Sequence, residues 1–196
     1  MPTVSTIRKI NRDSFFKKIR ESFFNGKLSQ GQVDGVNAIF NEWEKRKADD
    51  LRHLSYMLAT VYHETAKTMQ PINEYGKGEG KKYGSKIKMS GKAYSKPDKI
   101  YFGRGFVQLT WYENYETMAK LLGVDLLNAP EKALELNIAT QILFEGMRLG
   151  TFTGKKLSDY FSDKKDDPKN ARRIINGTDK AELIAIYHQK FYVALL

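Results

Sequence analysis

The sequence predicts a mainly α-helical fold with at most one small β-hairpin. Apolar residues recur every three or four positions through most of the 196 residues, which is the spacing of one helix face. Capping and stop signals border these apolar stretches and indicate where the helices begin and end. The one long segment without a helical period covers residues 72–102, where glycines and lysines leave room for a hairpin between Ile87 and Phe102.

Three helices are predicted before residue 72. They cover residues 13–24, 30–47 and 50–70, and each has a polar residue in the position of an N-cap. The first helix combines a basic face with an aromatic stripe that could bind a membrane or nucleic acid, but such stripes more often pack in a core, and we interpret it so. The expected caps are Asp13 or Ser14, then Ser29 in a capping box with Gln32, and Asp49 or Asp50.

Residues 72–102 are expected to form a long loop. Loops of this length inside a folded domain are usually functional or disordered, and the helical segments on both sides favour a functional loop. After this loop, Thr110 and Glu113 predict a capping box for a helix over residues 111–122. Further helices are expected over residues 131–149 and after a cap at Asp179, with shorter helical pieces between them.

The composition is that of an ordinary folded protein with an excess of positive charge. No cysteine is present, which excludes disulfides, a thiol nucleophile and thiolate-bound metals. Lys and Arg number 33 against 23 Asp and Glu, and the resulting net charge of +10 predicts an anionic partner. No run of about 18 apolar residues exists, so we expect no stable insertion into a membrane.

Metal and nucleotide chemistry are not indicated. His63 and Glu64 are followed by Lys67 at the position where the two-histidine zinc motif has its second histidine. The glycines at positions 76, 78 and 80 follow no predicted strand and open no helix, so a phosphate-binding loop is not supported. We therefore expect neither a metal nor a cofactor.

Carboxylates are the residues that can carry acid–base chemistry in this chain. At about 100° per residue, Glu64 lies at the border of the apolar stripe of the third helix, where a helix meets a cleft. That border suits a general acid, although a surface glutamate near a helix end fits the same spacing. Glu74 or Glu79 could face Glu64 across a groove, as inverting glycoside hydrolysis requires at a separation of roughly 6.5–9.5 Å.

Three sequence blocks resemble one enzyme family. The segment YFGRGFVQLTWYENY at residues 101–115 resembles the signature of family 19 glycoside hydrolases, the plant-type chitinases. The His-Glu-Thr at residues 63–65 resembles the block that holds the general acid of that family, and the Ile-Ile-Asn-Gly at residues 174–177 resembles its far cleft wall. The chain as a whole is similar to bacteriophage and prophage endolysins of this superfamily, which implies a two-lobed, lysozyme-like helical fold.

The resemblance implies a role for each matching residue. Glu64 would be the general acid, Glu74 the base that activates water, and Thr110 the hydroxyl that orients this water. Thr110 could instead serve only as a helix cap. Glu79 remains the substitute for Glu74, because the acid-to-base spacing of ten residues is shorter than in plant chitinases. The candidate substrate-binding residues are Gln108, Asn114, Asn176, His63, Tyr101 and Arg104, of which the last two are expected to brace the loop.

The predicted function is hydrolysis of the β-1,4 bonds between N-acetylhexosamines of peptidoglycan, as an endolysin that lyses a bacterial host. Peptidoglycan is favoured over chitin because it is commonly anionic, whereas the chain is strongly cationic. A family 19 chitinase is the first alternative. A basic helical domain that binds nucleic acid is the second, and it is disfavoured because the large aromatic residues occupy apolar stripes rather than a basic face.

We expect one catalytic domain over residues 1–196, with a smaller lobe or loop region at about residues 72–102 and no separate cell-wall-binding domain. The protein is predicted to be a monomer that binds peptidoglycan glycan strands and no nucleic acid. Residues 1–20 lack the apolar core of a secretory signal, so synthesis in the host cytoplasm is expected. Action on the wall, in the periplasm or outside, would then require a partner that permeabilises the membrane.

Overall fold

Residues 9–196 are described by the structure, a computed structural model. Helices dominate this range, which confirms the predicted mainly helical class, and none of them is both long and apolar enough to cross a membrane. The α-helices are α1 (Arg12–Phe24), α2 (Gln30–Lys45), α3 (Leu51–Glu64), α4 (Tyr112–Leu122), α5 (Leu136–Leu149) and α6 (Ala181–Leu195). The strands are β1 (Ile72–Asn73), β2 (Arg104–Gly105), β3 (Phe161–Ser162) and β4 (Lys165–Asp166). Short 3₁₀ turns lie at Lys82–Ser85, Pro130–Leu134, Leu157–Asp159 and Asn170–Ile174.

Helix α3 forms the centre of the fold. It packs along its length against α6 and also contacts α2 and α5. Residues 54–62 are all buried, so this helix is covered on every side and its position is set by packing. The C-terminal end of α3, which carries Glu64, is therefore held by the core of the protein.

The aromatic stripe of α1 belongs to this core. Phe15 is fully buried, and the ring of Phe23 stacks on Phe191 of α6 with 4.1 Å between ring centroids. Burial of a phenylalanine side chain contributes about 1.5–3 kcal/mol to the free energy of folding. The interpretation of this stripe as core packing is confirmed.

Most N-terminal caps follow the local signals. Ser29 and Gln32 form the predicted capping box of α2, and Asp50, one of the two expected residues, caps α3. Helix α1 differs, because the side chain of Asn11 accepts a hydrogen bond from the backbone N–H of Ser14. The helix therefore begins before both of the residues expected to cap it.

Helix α3 ends at Glu64, whereas its apolar period predicted a helix as far as about residue 70. Ala66 and Lys67 have φ angles of 49° and 70°, in the left-handed region where a right-handed helix cannot continue. The hydroxyl of Thr65 accepts a hydrogen bond from the backbone N–H of Met69 at 3.1 Å and stabilises the turn. Glu64 thus occupies the last helical position.

The long loop is closed at its base by β1 and β2. These strands pair antiparallel with Ile72 opposite Gly105, so the two ends of the loop lie side by side. The hairpin expected over residues 87–102 is reduced to a single antiparallel bridge between Ile87 and Ala93.

Two expectations about the C-terminal half are wrong. The helix predicted over residues 131–149 is divided, because Glu135 adopts an extended backbone between a 3₁₀ turn and α5. Helix α6 begins after Lys180, which is left-handed, and no side chain caps it, so Asp179 is not the cap. Between two 3₁₀ turns, β3 and β4 form a short antiparallel hairpin. Elements this short depend on tertiary contacts more than on local signals.

Candidate active site

A cleft of about 430 Å³ lies between the C-terminal end of α3, the N-terminal end of α4 and the segment that precedes α4. Phe152 and residues 175–176 border its other side. Five of the nine predicted site residues line this cleft, namely Glu64, Gln108, Thr110, Asn114 and Asn176.

Glu64 forms an ion pair with Arg172 at the cleft. Its Oε1 accepts a hydrogen bond from Arg172 Nη1 at 2.5 Å, and the side chains of the two residues are 15% and 4% exposed. The Nε of Arg172 donates to the carbonyl of Asp179 at 2.9 Å, which fixes the guanidinium in place. Sequence reasoning missed Arg172, although it lies two residues before the Ile-Ile-Asn-Gly block at 174–177.

Glu74 is anchored directly after β1. Its Oε1 accepts from the hydroxyl of Tyr83 at 2.5 Å, and its Oε2 accepts from the backbone N–H of Gly103 at 3.0 Å. Glu74 itself does not line the cleft, but Tyr83 does. Burial and the hydrogen bond to Glu74 raise the pKa of Tyr83 to about 12, so its hydroxyl remains a donor at neutral pH. Sequence reasoning did not identify Tyr83 or Gly103.

Glu79, the alternative second carboxylate, is exposed and lies away from the cleft lining. Its side chain makes no hydrogen bond to any residue between 9 and 196. A Cβ at Gly103 would lie 3.2 Å from the Cβ of Glu74 and 2.8 Å from Oε1 of Gln108, so a larger residue here would displace one of these side chains. The geometry therefore favours Glu74 over Glu79 as the second carboxylate.

Thr110 is not a helix cap, which corrects the predicted capping box. Helix α4 begins at Tyr112 after Trp111, whose φ is 73°, and no side chain caps it. Glu113, the other half of the expected box, accepts instead from the backbone N–H of Met89 at 2.8 Å. The hydroxyl of Thr110 has no hydrogen-bond partner in the described part of the chain, and Thr110 is one of the residues that line the cleft.

Three amide side chains line the same cleft. Gln108 is held by its Nε2, which donates to the carbonyls of Ile72 and Gly105 at 3.3 Å each. Asn114 lies in the first turn of α4, and Asn176 follows the 3₁₀ turn on the other side. An amide carries both donors and acceptors, so these groups can bind the hydroxyl and N-acetyl groups of a sugar.

Tyr101 and Arg104 lie beneath the cleft rather than on it, which corrects their place among the substrate-binding candidates. Tyr101 is fully buried and its hydroxyl donates to the carbonyl of Leu127 at 2.9 Å. The guanidinium of Arg104 lies 3.5 Å from the ring centroid of Phe102 and donates to the hydroxyl of Tyr115 at 3.0 Å. Both side chains hold residues 100–104 against α4, which is the bracing role that the resemblance implied.

His63 does not line the cleft, and its predicted contact with substrate stays a prediction. It lines a separate cavity of about 160 Å³ together with Lys67 and Tyr187. Burial, with the nearby charge of Arg172, lowers the pKa of His63. Among residues 9–196, no three His, Asp or Glu side chains are grouped so that they could hold a metal ion.

Parts of this chain are similar in sequence to known chitinases. The chain is 57% identical over 35 residues to Endochitinase 1 of Theobroma cacao, a match over 18% of this chain and 11% of that protein. It is 32% identical over 136 residues to Endochitinase At2g43590 of Arabidopsis thaliana, over 66% of this chain and 49% of that protein. The matched parts thus span about half or less of the length of these relatives.

Solved structures share the fold. Chitinase C from Streptomyces griseus HUT6037 has a TM-score of 0.59 at 20% identity, covering 95% of this chain and 76% of that one. The family GH19, class IV chitinase from Zea mays has a TM-score of 0.56 at 15% identity, covering 91% and 93%. These similarities confirm the predicted family 19 chitinase-like architecture.

The family is shown by a match that begins just after α2 and ends within α5. The profile of glycoside hydrolase family 19, described as chitinase class I, matches residues 46–144. This match is half of the chain and includes Glu64, Glu74, Thr110 and Asn114. The protein therefore belongs to glycoside hydrolase family 19.

Proposed function

We propose that this protein hydrolyses the β-1,4 glycosidic bonds between N-acetylhexosamines of peptidoglycan, with inversion, as an endolysin for the lysis of a bacterial host. The observation that carries the proposal is a cleft lined by Glu64, the Thr110 hydroxyl and three amides, with Glu74 anchored behind Tyr83. This is the set of groups that a glycosidase needs: an acid, a base, a hydroxyl for water and amides for sugar.

In this mechanism Glu64 donates a proton to the leaving-group oxygen. Arg172 donates a hydrogen bond to Oε1 of Glu64, whereas Oε2 makes no hydrogen bond to any residue between 9 and 196. Oε2 is therefore the oxygen that can carry the proton. As the proton leaves, negative charge develops on this carboxyl. The guanidinium of Arg172 is already in place beside it and stabilises that charge.

Glu74 accepts a proton from the attacking water. The two donors on its oxygens, from Tyr83 and Gly103, fix the plane of the carboxylate and thus the direction of its remaining lone pairs. The Thr110 hydroxyl can donate and accept, so it holds this water against the sugar. Inversion requires the two carboxylates to act from opposite faces of the sugar ring.

Positive charge beside the cleft supports peptidoglycan as the substrate. Residues 72–102 contain eight lysines and three acidic residues, so this segment carries half of the net charge of +10. Within the described chain only one of these lysines, Lys86, forms an ion pair, with Asp98. The same segment contributes Met89 to the cleft. Unpaired lysines attract an anionic polymer over about 10 Å at 0.1 M salt.

Chitin is the second candidate substrate. The curated relatives that match this chain bear the name endochitinase, which favours it. Chitin has the same β-1,4-linked N-acetylhexosamines but carries no negative charge, so the catalytic groups fit both polymers.

Parallel digestion of purified peptidoglycan and chitin hexamer, followed by mass spectrometry of the products, tests the proposal. We expect faster release of glycan fragments from peptidoglycan. Glu64→Gln should retain less than about a tenth of the wild-type rate at a temperature where the variant is still folded, because an amide cannot donate the proton. Its melting temperature should fall, because the buried guanidinium of Arg172 loses its carboxylate partner. Glu79→Gln is the matched control and should be fully active. Cleavage of chitin alone would favour the second candidate, and cleavage of neither polymer would refute both.

A further inference from the structure

The outward face of α6 carries more large apolar side chains than a solvent-exposed helix face normally does. Leu183, Ile186, Val193 and Leu196 are 37%, 54%, 54% and 59% exposed. At 100° per residue these four positions fall within an arc of about 140° and form one stripe along the helix, which the exposed polar residues Glu182, Gln189 and Lys190 interrupt. The opposite face of α6 packs against α3 and is buried. No residue between 9 and 196 covers the stripe.

Cations flank this stripe. Lys190 lies within it, and its ammonium is 5.7 Å from the ring centroid of Phe23, so the stripe borders α1. Helix α1 exposes three cations, Lys17, Lys18 and Arg20, and two acidic residues, Asp13 and Glu21. None of the three cations forms an ion pair with a described residue. The acidic residue of α6 in this region, Glu182, is neutralised by Lys169. Lys27 adds a further exposed cation just after α1.

We propose that the α6 stripe, formed by Leu183, Ile186, Val193 and Leu196, is a docking surface for an anionic lipid bilayer. The helix lies on the bilayer surface and does not span the bilayer. An apolar stripe bordered by lysines is the pattern of helices that lie in the membrane interface. Each cation near an anionic surface adds attraction that a neutral bilayer does not provide. The same cations oppose pairing of this face with a second copy of the chain, because two such faces repel each other.

Sedimentation of the full chain with vesicles tests this surface independently of glycan hydrolysis. We expect binding to vesicles of phosphatidylglycerol and phosphatidylcholine at least tenfold stronger than to phosphatidylcholine alone. Ile186→Asp combined with Val193→Asp should weaken binding to the anionic vesicles at least tenfold, because a charge replaces an apolar anchor at each position. Leu121→Asp is the matched control, since Leu121 on α4 is 46% exposed but lies outside the stripe. This variant should bind as wild type does.

A second pair of variants tests the cations. Lys17→Glu with Lys18→Glu should weaken binding to the anionic vesicles, whereas Lys155→Glu with Lys164→Glu, an equal change of charge at exposed lysines elsewhere, should weaken it much less. Hydrolysis of a soluble glycan should be unchanged in all variants, since none of these residues lines the cleft.

Three results would overturn the proposal. The first is equal binding of the wild type to both vesicle compositions, or no binding to either. The second is a wild-type dimer in light scattering that Ile186→Asp with Val193→Asp converts to a monomer, which would make the stripe a contact between copies. The third is a large loss of thermal stability in that double variant, which would mean that another part of the chain covers the stripe.

Discussion

Removal of the Thr110 hydroxyl tests whether this hydroxyl has a catalytic or a structural role. Thr110→Val keeps the shape of the side chain and its branching at Cβ and removes only the hydroxyl. This hydroxyl bonds to no residue between 9 and 196 and does not cap α4. We therefore expect the free energy of unfolding to change by less than about 0.5 kcal/mol. A capping role would instead cost about 1 kcal/mol.

The expected effect of Thr110→Val on turnover is much larger. Loss of one group that positions a reacting molecule or stabilises charge in the transition state costs about 2.7–4 kcal/mol, or roughly 10²- to 10³-fold in kcat. The hydroxyl is proposed to hold water rather than sugar, so KM should change little. We expect kcat to fall about 10²-fold in a variant that is as stable as the wild type.

Initial rates on peptidoglycan and urea denaturation, measured on the same preparations, check both expectations. Thr110→Ser returns a hydroxyl and should recover most of the lost rate. Thr117→Val on the exposed side of α4 is the matched control, because its hydroxyl donates to the carbonyl of Glu113 and not into the cleft. A folded Thr110→Val variant with kcat within about threefold of the wild type would refute the reasoning, since the factor expected is roughly 10².

Three further predictions concern the base, a buried histidine and the lysines. Tyr83→Phe removes a hydrogen bond to Glu74 that contributes about 1.5–3 kcal/mol, so kcat should fall about 10- to 100-fold. The control variant Tyr94→Phe should stay active. Full activity of Tyr83→Phe would exclude a role for this donor. Burial lowers the pKa of His188 to about 4, whereas the unfolded chain titrates near 6.5, so the unfolded state binds the extra proton first as the pH falls. The free energy of unfolding should consequently decrease by about 3 kcal/mol between pH 7 and pH 4. Urea denaturation of His188→Gln should lack this part of the pH dependence. If the free energy of unfolding depends on pH identically in both proteins, the lowered pKa of His188 is contradicted. Hydrolysis of peptidoglycan should decrease steeply between about 0.1 M and 1 M salt and hydrolysis of chitin oligomers should not, because salt screens the lysines; equal salt dependence would assign them no role in substrate attraction.

Local signals determine the helical class and many of the helix limits. The capping box of Ser29 and Gln32 and the cap Asp50 lie where the sequence predicts them. Helices α4 and α5 end before Gly123 and Gly150, at the predicted residues 122 and 149. Each acts through hydrogen bonds or backbone angles within about one turn, so its effect does not depend on the rest of the fold. The cleft residues of the 101–115 block could be recognised for a similar reason, because they are contiguous in the chain.

The tertiary structure alone decides which functional groups meet and which do not. Arg172 reaches Glu64 across 108 positions of sequence, and Tyr83 and Gly103 converge on Glu74 from separate parts of the chain. These contacts depend on how α3 and the C-terminal 3₁₀ turn both pack against α6 and on how β1 and β2 close the long loop, which no local period encodes. Burial is likewise a property of the assembled fold, and for that reason Tyr101 matches the family signature and yet lies beneath the cleft.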